Sequence, residues 1–86
     1  IISCHHAYHG STQGALSIGG SECYKYNYRP LLPDVQQIRY AHLPDLEQIT
    51  QRTAAVIIET VQGEAGVRIA DAAYFHALRQ RCNEVG

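Results

Sequence analysis

The run Ala54-Ala55-Val56-Ile57-Ile58, closed by Glu59 and followed by Thr60-Val61-Gln62-Gly63-Glu64-Ala65-Gly66-Val67, constrains the fold more than any other feature of the 86-residue chain. Five consecutive apolar residues bounded by a glycine-containing loop predict a strand buried on both faces, the kind found in parallel sheets covered by helices. Glu59 then stands at the carboxyl end of that strand. In open α/β sheets ligands bind in the crevice outside the carboxyl ends of the strands, so Glu59, with Glu64 beyond a flexible turn, is placed where binding and chemistry are expected.

The rest of the chain supplies the helices such a sheet needs. Ile1 to His5 reads as the tail of a strand, and Gly10, lacking a Cβ, allows a sharp change of direction. Ser11 or Thr12 can cap a short helix through Ala15, Leu16 and Ile18, which the Gly19-Gly20 pair stops. Residues 21 to 34 are polar and aromatic, contain Pro30 and Pro33, and read as a long loop. Ile38 to Ala41 is a short strand candidate. Leu43, Leu46 and Ile49 recur at helical spacing, with Pro44 in a first turn. In the last helix Asp71 caps the start, Phe75, Leu78, Cys82 and Val85 form one apolar stripe, Arg79 and Arg81 fall in the last turns, and Gly86 ends it. Strands alternating with helices predict an α/β fold with a mostly parallel sheet and right-handed crossovers.

Composition narrows the function classes. An apolar content of 45% with 17% charged residues suits a globular interior, and the net charge of −1 gives no basic field for nucleic acid. No apolar run approaches the ~20 residues of a membrane span, and nothing resembles a signal peptide. Three cysteines, Cys4, Cys23 and Cys82, without paired spacing favour reduced thiols in a cytoplasmic protein. The chain opens on Ile1-Ile2 and contains no methionine, so it is expected to be an internal segment of a longer protein, and the isolated piece is expected to aggregate or unfold through its open strand edges.

Two motifs carry a resemblance. Tyr8-His9-Gly10, with Thr12 and Gly14-Ala15-Leu16-Ser17, and the block from Glu59 through Val67 resemble, in order and separation, segments of class III pyridoxal-phosphate-dependent aminotransferases. The similarity runs over nearly the whole chain and is greatest to the acetylornithine and ornithine branch, with 4-aminobutyrate aminotransferases as close relatives. It implies that residues 1–86 form part of the large domain of a fold-type I transferase, a mostly parallel sheet with helices on both faces and no internal domain boundary. It further implies transamination between an amino acid, with an ω-amino donor such as ornithine or acetylornithine foremost, and a 2-oxo acid, pyridoxal 5'-phosphate as cofactor, and a homodimer.

The resemblance assigns roles that the residue chemistry supports. A charged pyridine ring needs a flat wall, and Tyr8, an aromatic beside a glycine turn at a strand end, can offer one. His9 is expected near the cofactor's phenolic oxygen, and Gly10 makes the turn. Glu59, costly to bury unless paired, is implied to be an acid on the cofactor side that positions neighbouring polar groups. Glu64 follows a glycine and is implied to pair reversibly with an arginine that binds an α-carboxylate in one half-reaction. Ser11 departs from the family, where arginine is frequent; serine cannot form a bidentate ion pair with a substrate carboxylate, which leaves the donor open.

No catalytic residue is expected within the segment. Lys25, the one lysine, reads as a solvated surface residue among Tyr24, Tyr26 and Tyr28, so the Schiff-base lysine is expected beyond Gly86. Two other readings stay open. Cys4, His5, His6 and His9 crowd together and suggest a metal-binding module. The chain could also be a non-catalytic α/β interaction domain.

Overall fold

A computed structural model describes residues 1–86. The centre of the fold is β1 (Ile2–Cys4), with β2 (Gln36–Ile38) parallel to it in the register Ile2 to Gln36 and Cys4 to Ile38. On the other side of β1 the apolar run pairs in parallel through a single bridge, Ile2 to Val56, held by Ile2 N–H to Ala55 O and Ile57 N–H to Ile2 O, both 2.9 Å. Three parallel segments therefore lie side by side, and the one at the centre is Ile-Ser-Cys.

Strand alternation distributes the helices. Ser3 points one way, its Oγ donating to the Ile18 carbonyl of α1 (Gln13–Ile18) at 2.7 Å. Ile2 and Cys4 point the other way, into a core shared with Ile38, Tyr40, Leu46, Ile49, and Tyr74 and Leu78 of α3 (Ala72–Val85). Successive side chains of a strand face opposite sides, so α1 and α3 cover opposite faces of β1. Asp71 caps α3 as its sequence position predicts, Oδ1 accepting from Tyr74 N–H at 2.9 Å. Phe75, Cys82 and Val85 pack on the core edge, and Tyr74, next to the predicted stripe, is the most buried residue of α3. No helix is long and apolar enough to cross a membrane, and all three cysteines are free thiols.

Several local expectations need correction. The 54–58 run is not buried on both faces: Ala54, Ala55 and Ile57 are exposed, because only β1 pairs with it and its outer edge is open. The strand near Ile38 lies earlier than expected, at Gln36–Ile38. Arg39 N–H leaves the ladder to donate to Asp45 Oδ2 at 2.8 Å, and Ala41 adopts φ +60°. Leu43–Gln48 forms a 3₁₀ helix rather than an α-helix. Neither Ser11 nor Thr12 caps α1 with its side chain; the Thr12 carbonyl accepts from Leu16 N–H at 2.7 Å instead.

The expected long loop contains α2 (Glu22–Lys25) and a 3₁₀ turn (Tyr26–Tyr28), braced by an Arg29–Glu22 ion pair. Lys25 is half-buried rather than freely solvated. Its Nζ donates to Gly19 O at 2.9 Å and Ser17 O at 3.3 Å, satisfying carbonyls that the end of α1 leaves without partners. After Glu59 the chain turns into a hairpin of β3 (Val61–Gln62) and β4 (Arg68–Ile69), antiparallel, where the sequence showed only a loop.

Candidate active site

Parallel pairing brings the carboxyl ends of β1 and the 54–58 run together. Beyond β1 the chain makes a tight turn, Ala7 N–H bonding Cys4 O at 3.2 Å with His6 at φ +63°. Gly20 closes against this turn. Its N–H donates to Ala7 O at 2.8 Å, and a Cβ there would lie 2.3 Å from His6 N, so only glycine permits the approach. The turn delivers Tyr8 to the end of the neighbouring segment, where its N–H donates to Glu59 Oε1 at 2.8 Å across 51 residues of sequence.

Tyr8, Gly10 and Ser11 line one cavity of about 500 Å³ with Leu16, Tyr24 and Tyr28. Tyr8 is 41% exposed, which leaves surface free to meet a ligand. Tyr24 meets it edge-on, with ring centroids 5.8 Å apart and planes at 65°. Gly10 has φ +127°, a left-handed conformation that favours glycine. His9 is half-buried, and its Nε2 is buried without any hydrogen-bond partner. Glu59 is half-buried and makes no ion pair. Five of the six predicted residues, Tyr8, His9, Gly10, Ser11 and Glu59, are thus one neighbourhood. Glu64 stands apart on the exposed turn of the hairpin and bonds none of them.

Tyr24, Tyr28 and Gln62 stand outside the expected site residues. Tyr24 and Tyr28 carried a readable signal in their four-residue spacing. Gln62 carried none, since its partner is the His5 carbonyl, 57 residues away, which accepts from Nε2 at 3.1 Å. A separate hollow of about 470 Å³ along the outer edge of 54–56, with Ile49, Val85 and Arg79 in its wall, contains none of the predicted residues.

The electrostatics separate structural from exposed groups. Burial, aided by the Glu59 charge, pushes the Cys4 thiol up to about 11, so it is a poor nucleophile or ligand at neutral pH. Asp45 is held well below the ordinary carboxylate range, first by the Arg39 side-chain hydrogen bonds and then by the Arg39 N–H. That pair lies between β2 and the 3₁₀ helix, away from the cavity. The metal-binding alternative is not met: Cys4 faces the core while His5 and His6 are exposed, and no three His, Cys, Asp or Glu side chains could hold an ion together.

Parallel strands sandwiched by α1 and α3, with an aromatic cavity and an acid at their carboxyl ends, define an α/β segment with a candidate ligand site where such sheets bind ligands. A profile of the family described as Aminotransferase class-III matches residues 1–86. The probable mitochondrial acetylornithine aminotransferase of Schizosaccharomyces pombe is 42% identical over 87 residues, 100% of this chain and 20% of the relative. The acetylornithine aminotransferase of Clostridium acetobutylicum is 40% identical over 85 residues, 98% of this chain and 22% of its own. The ornithine aminotransferase structure from Toxoplasma gondii superposes with a TM-score of 0.88 at 28% identity, covering 96% of this chain and 20% of that one. The chain belongs to the class III aminotransferase family. It spans about a fifth of the length of these relatives.

Proposed function

We propose that residues 1–86 form one wall of a pyridoxal-phosphate site in an aminotransferase that moves an amino group from an ω-amino donor such as ornithine or acetylornithine to a 2-oxo acid. The observation that carries the reading is the Tyr8 N–H to Glu59 contact at 2.8 Å, which joins the two motifs of the sequence at one end of the sheet. The residues fit the cofactor. Tyr8 offers an exposed flat ring beside a cavity without charged side chains, and the orphaned Nε2 of His9 is a buried polar atom in need of a partner such as a phenolic oxygen. When bound, the cofactor supplies an electron sink for the bond broken at the donor's amino-bearing carbon.

The chain's own residues orient and exclude. Tyr8 would offer its ring as a flat wall for the cofactor and would shield that face from water. Gly10 turns the backbone away so that Ser11 lies on the cavity wall, where its hydroxyl can meet a polar group of the substrate without fixing a carboxylate as an arginine would. Glu59 holds the Tyr8 backbone and leaves its second oxygen for a neighbouring polar group. Glu64, on its exposed turn, is the acid that pairs with and releases an arginine between half-reactions. The large-domain assignment without an internal boundary is supported by one core running from Ile2 to Leu78. A cytoplasmic setting is supported by the three free thiols, and a homodimer by family resemblance.

The test is the full-length protein. Added pyridoxal phosphate should give a bound-cofactor absorbance band that changes on adding ornithine or acetylornithine, and competition among these donors and 4-aminobutyrate ranks the substrates. Absence of a bound band overturns the reading.

A further inference from the structure

We propose that Gln62 is a positioning residue that sets where Glu64 stands relative to the Tyr8 wall; the inference rests on the role given to Glu64 above. The segment from Glu59 to Gln62 is tied to the body of the fold three times. Glu59 Oε1 accepts from Tyr8 N–H at 2.8 Å, Thr60 O accepts from Tyr40 Oη at 2.9 Å, and Gln62 Nε2 donates to His5 O at 3.1 Å. Glu59 and Gln62 grip the same turn at its two ends, Tyr8 and His5. The hairpin's second strand rests on the same post, with the Arg68 guanidinium 6.0 Å from the centre of the Tyr40 ring.

Past Gln62 the anchoring stops. Gly66 N–H and Val67 N–H both bond Gly63 O at 3.3 Å, which closes the turn on itself, and Glu64 bonds nothing. Gln62 is therefore the last fixed point before the acid. It is 1% exposed, although its neighbours Val61 and Gly63 are exposed. Its Oε1 is buried without a partner. An apolar side chain would fill such a position without an unsatisfied oxygen, so burial alone does not account for an amide there. The donor to His5 O does: it couples the hairpin to the turn that aims Tyr8.

The test compares Gln62→Met, Glu64→Gln and the double variant in the full-length protein loaded with pyridoxal phosphate. Cofactor absorbance per polypeptide and single-turnover kcat/KM are read for the amino-donor and 2-oxo-acid half-reactions. Gln62→Met should keep cofactor occupancy. It should shift the ratio of the two half-reactions by about three- to tenfold, the range of one lost hydrogen bond, in the direction of Glu64→Gln. The double variant should go no further than Glu64→Gln, since the two act through one group. Should Gln62→Met not fold, Gln62→Asn, whose shorter amide draws the donor away from His5, should give the same shift. Additive effects, or an equal fall of both half-reactions with loss of cofactor, would show a merely structural Gln62 and overturn the inference. A silent Gln62→Met beside an altered Glu64→Gln overturns the inference alone. A silent Glu64→Gln overturns both it and the role assigned to Glu64.

Discussion

Two carboxylates in this chain end up in opposite circumstances. Asp45 is buried and fully engaged, with Oδ1 accepting from Arg39 Nη2 at 2.8 Å and Oδ2 from Arg39 Nε at 3.0 Å and the Arg39 N–H at 2.8 Å. Glu59 has one bond, to a backbone N–H, and no cation beside it. The acid with the strongest electrostatic perturbation is a fastener at the end of β2, and the under-satisfied one stands beside the Tyr8 backbone at the carboxyl end of the 54–58 run. In this fold capacity left over, not depth of the perturbation, separates a group that can act on a ligand from one that holds the chain together.

The contrast can be broken or sharpened by substitution in the full-length protein, taken from the largest expected effect downward. Gly20→Ala should be the most damaging, at about 3 kcal/mol by denaturant unfolding, because the added methyl meets backbone that cannot swing aside, and cofactor binding should go with it. A tolerated alanine would mean the turn before Tyr8 is not held by this packing.

Asp45→Asn comes next and should lower the melting temperature at neutral pH without altering the affinity of the remaining folded protein for cofactor. Since the Asp45 folded-state value is depressed, its contribution is present at neutral pH and is lost as pH falls from about 4 toward that lower value. The melting curves of variant and parent should therefore converge in acid; a gap that persists there would assign the loss to packing.

Glu59→Ala should cost about 1.5–3 kcal/mol of combined stability and cofactor affinity, the range for a hydrogen bond to a charged group, with Glu59→Gln recovering the part due to the Tyr8 N–H. Equal losses in both variants would move the role of Glu59 from the Tyr8 bond to its charge. Tyr8→Leu should weaken cofactor binding by about 0.5–1.5 kcal/mol while Tyr8→Phe leaves it unchanged, which titration by absorbance resolves. The smallest effect is on Cys4. With the thiol pushed up to about 11, only about one in a thousand is ionised at pH 8, so alkylation should reach exposed Cys23 first. Glu59→Gln, removing a nearby negative charge, should speed Cys4 labelling slightly.

What the sequence made legible was local. The Asp71 cap and the stripe of α3 depend on residues within a few turns of one another. The bend at Gly10 depends on a conformation open mainly to glycine. Glu59 was found because an acid ending an apolar run is conspicuous. What escaped depends on distant partners: β1 is the buried centre through neighbours at Gln36–Ile38 and Val56, and Gln62 is anchored by His5. The apolarity of 54–58 was read as two-sided burial, whereas β1 covers it on one edge only. The hairpin after Glu59 was hidden because Gly63 and Gly66 read as loop, and two-residue strands leave no alternation to detect.

Lys25, tied to the carbonyls of Gly19 and Ser17, is the chain's one side-chain primary amine. With its Nζ engaged by two carbonyls at the end of α1, it is poorly placed to attack an aldehyde. Borohydride reduction of the loaded full-length protein, followed by proteolysis and mass mapping, should accordingly return residues 1–86 as unlabelled peptides, with the tagged fragment arising from another stretch of polypeptide.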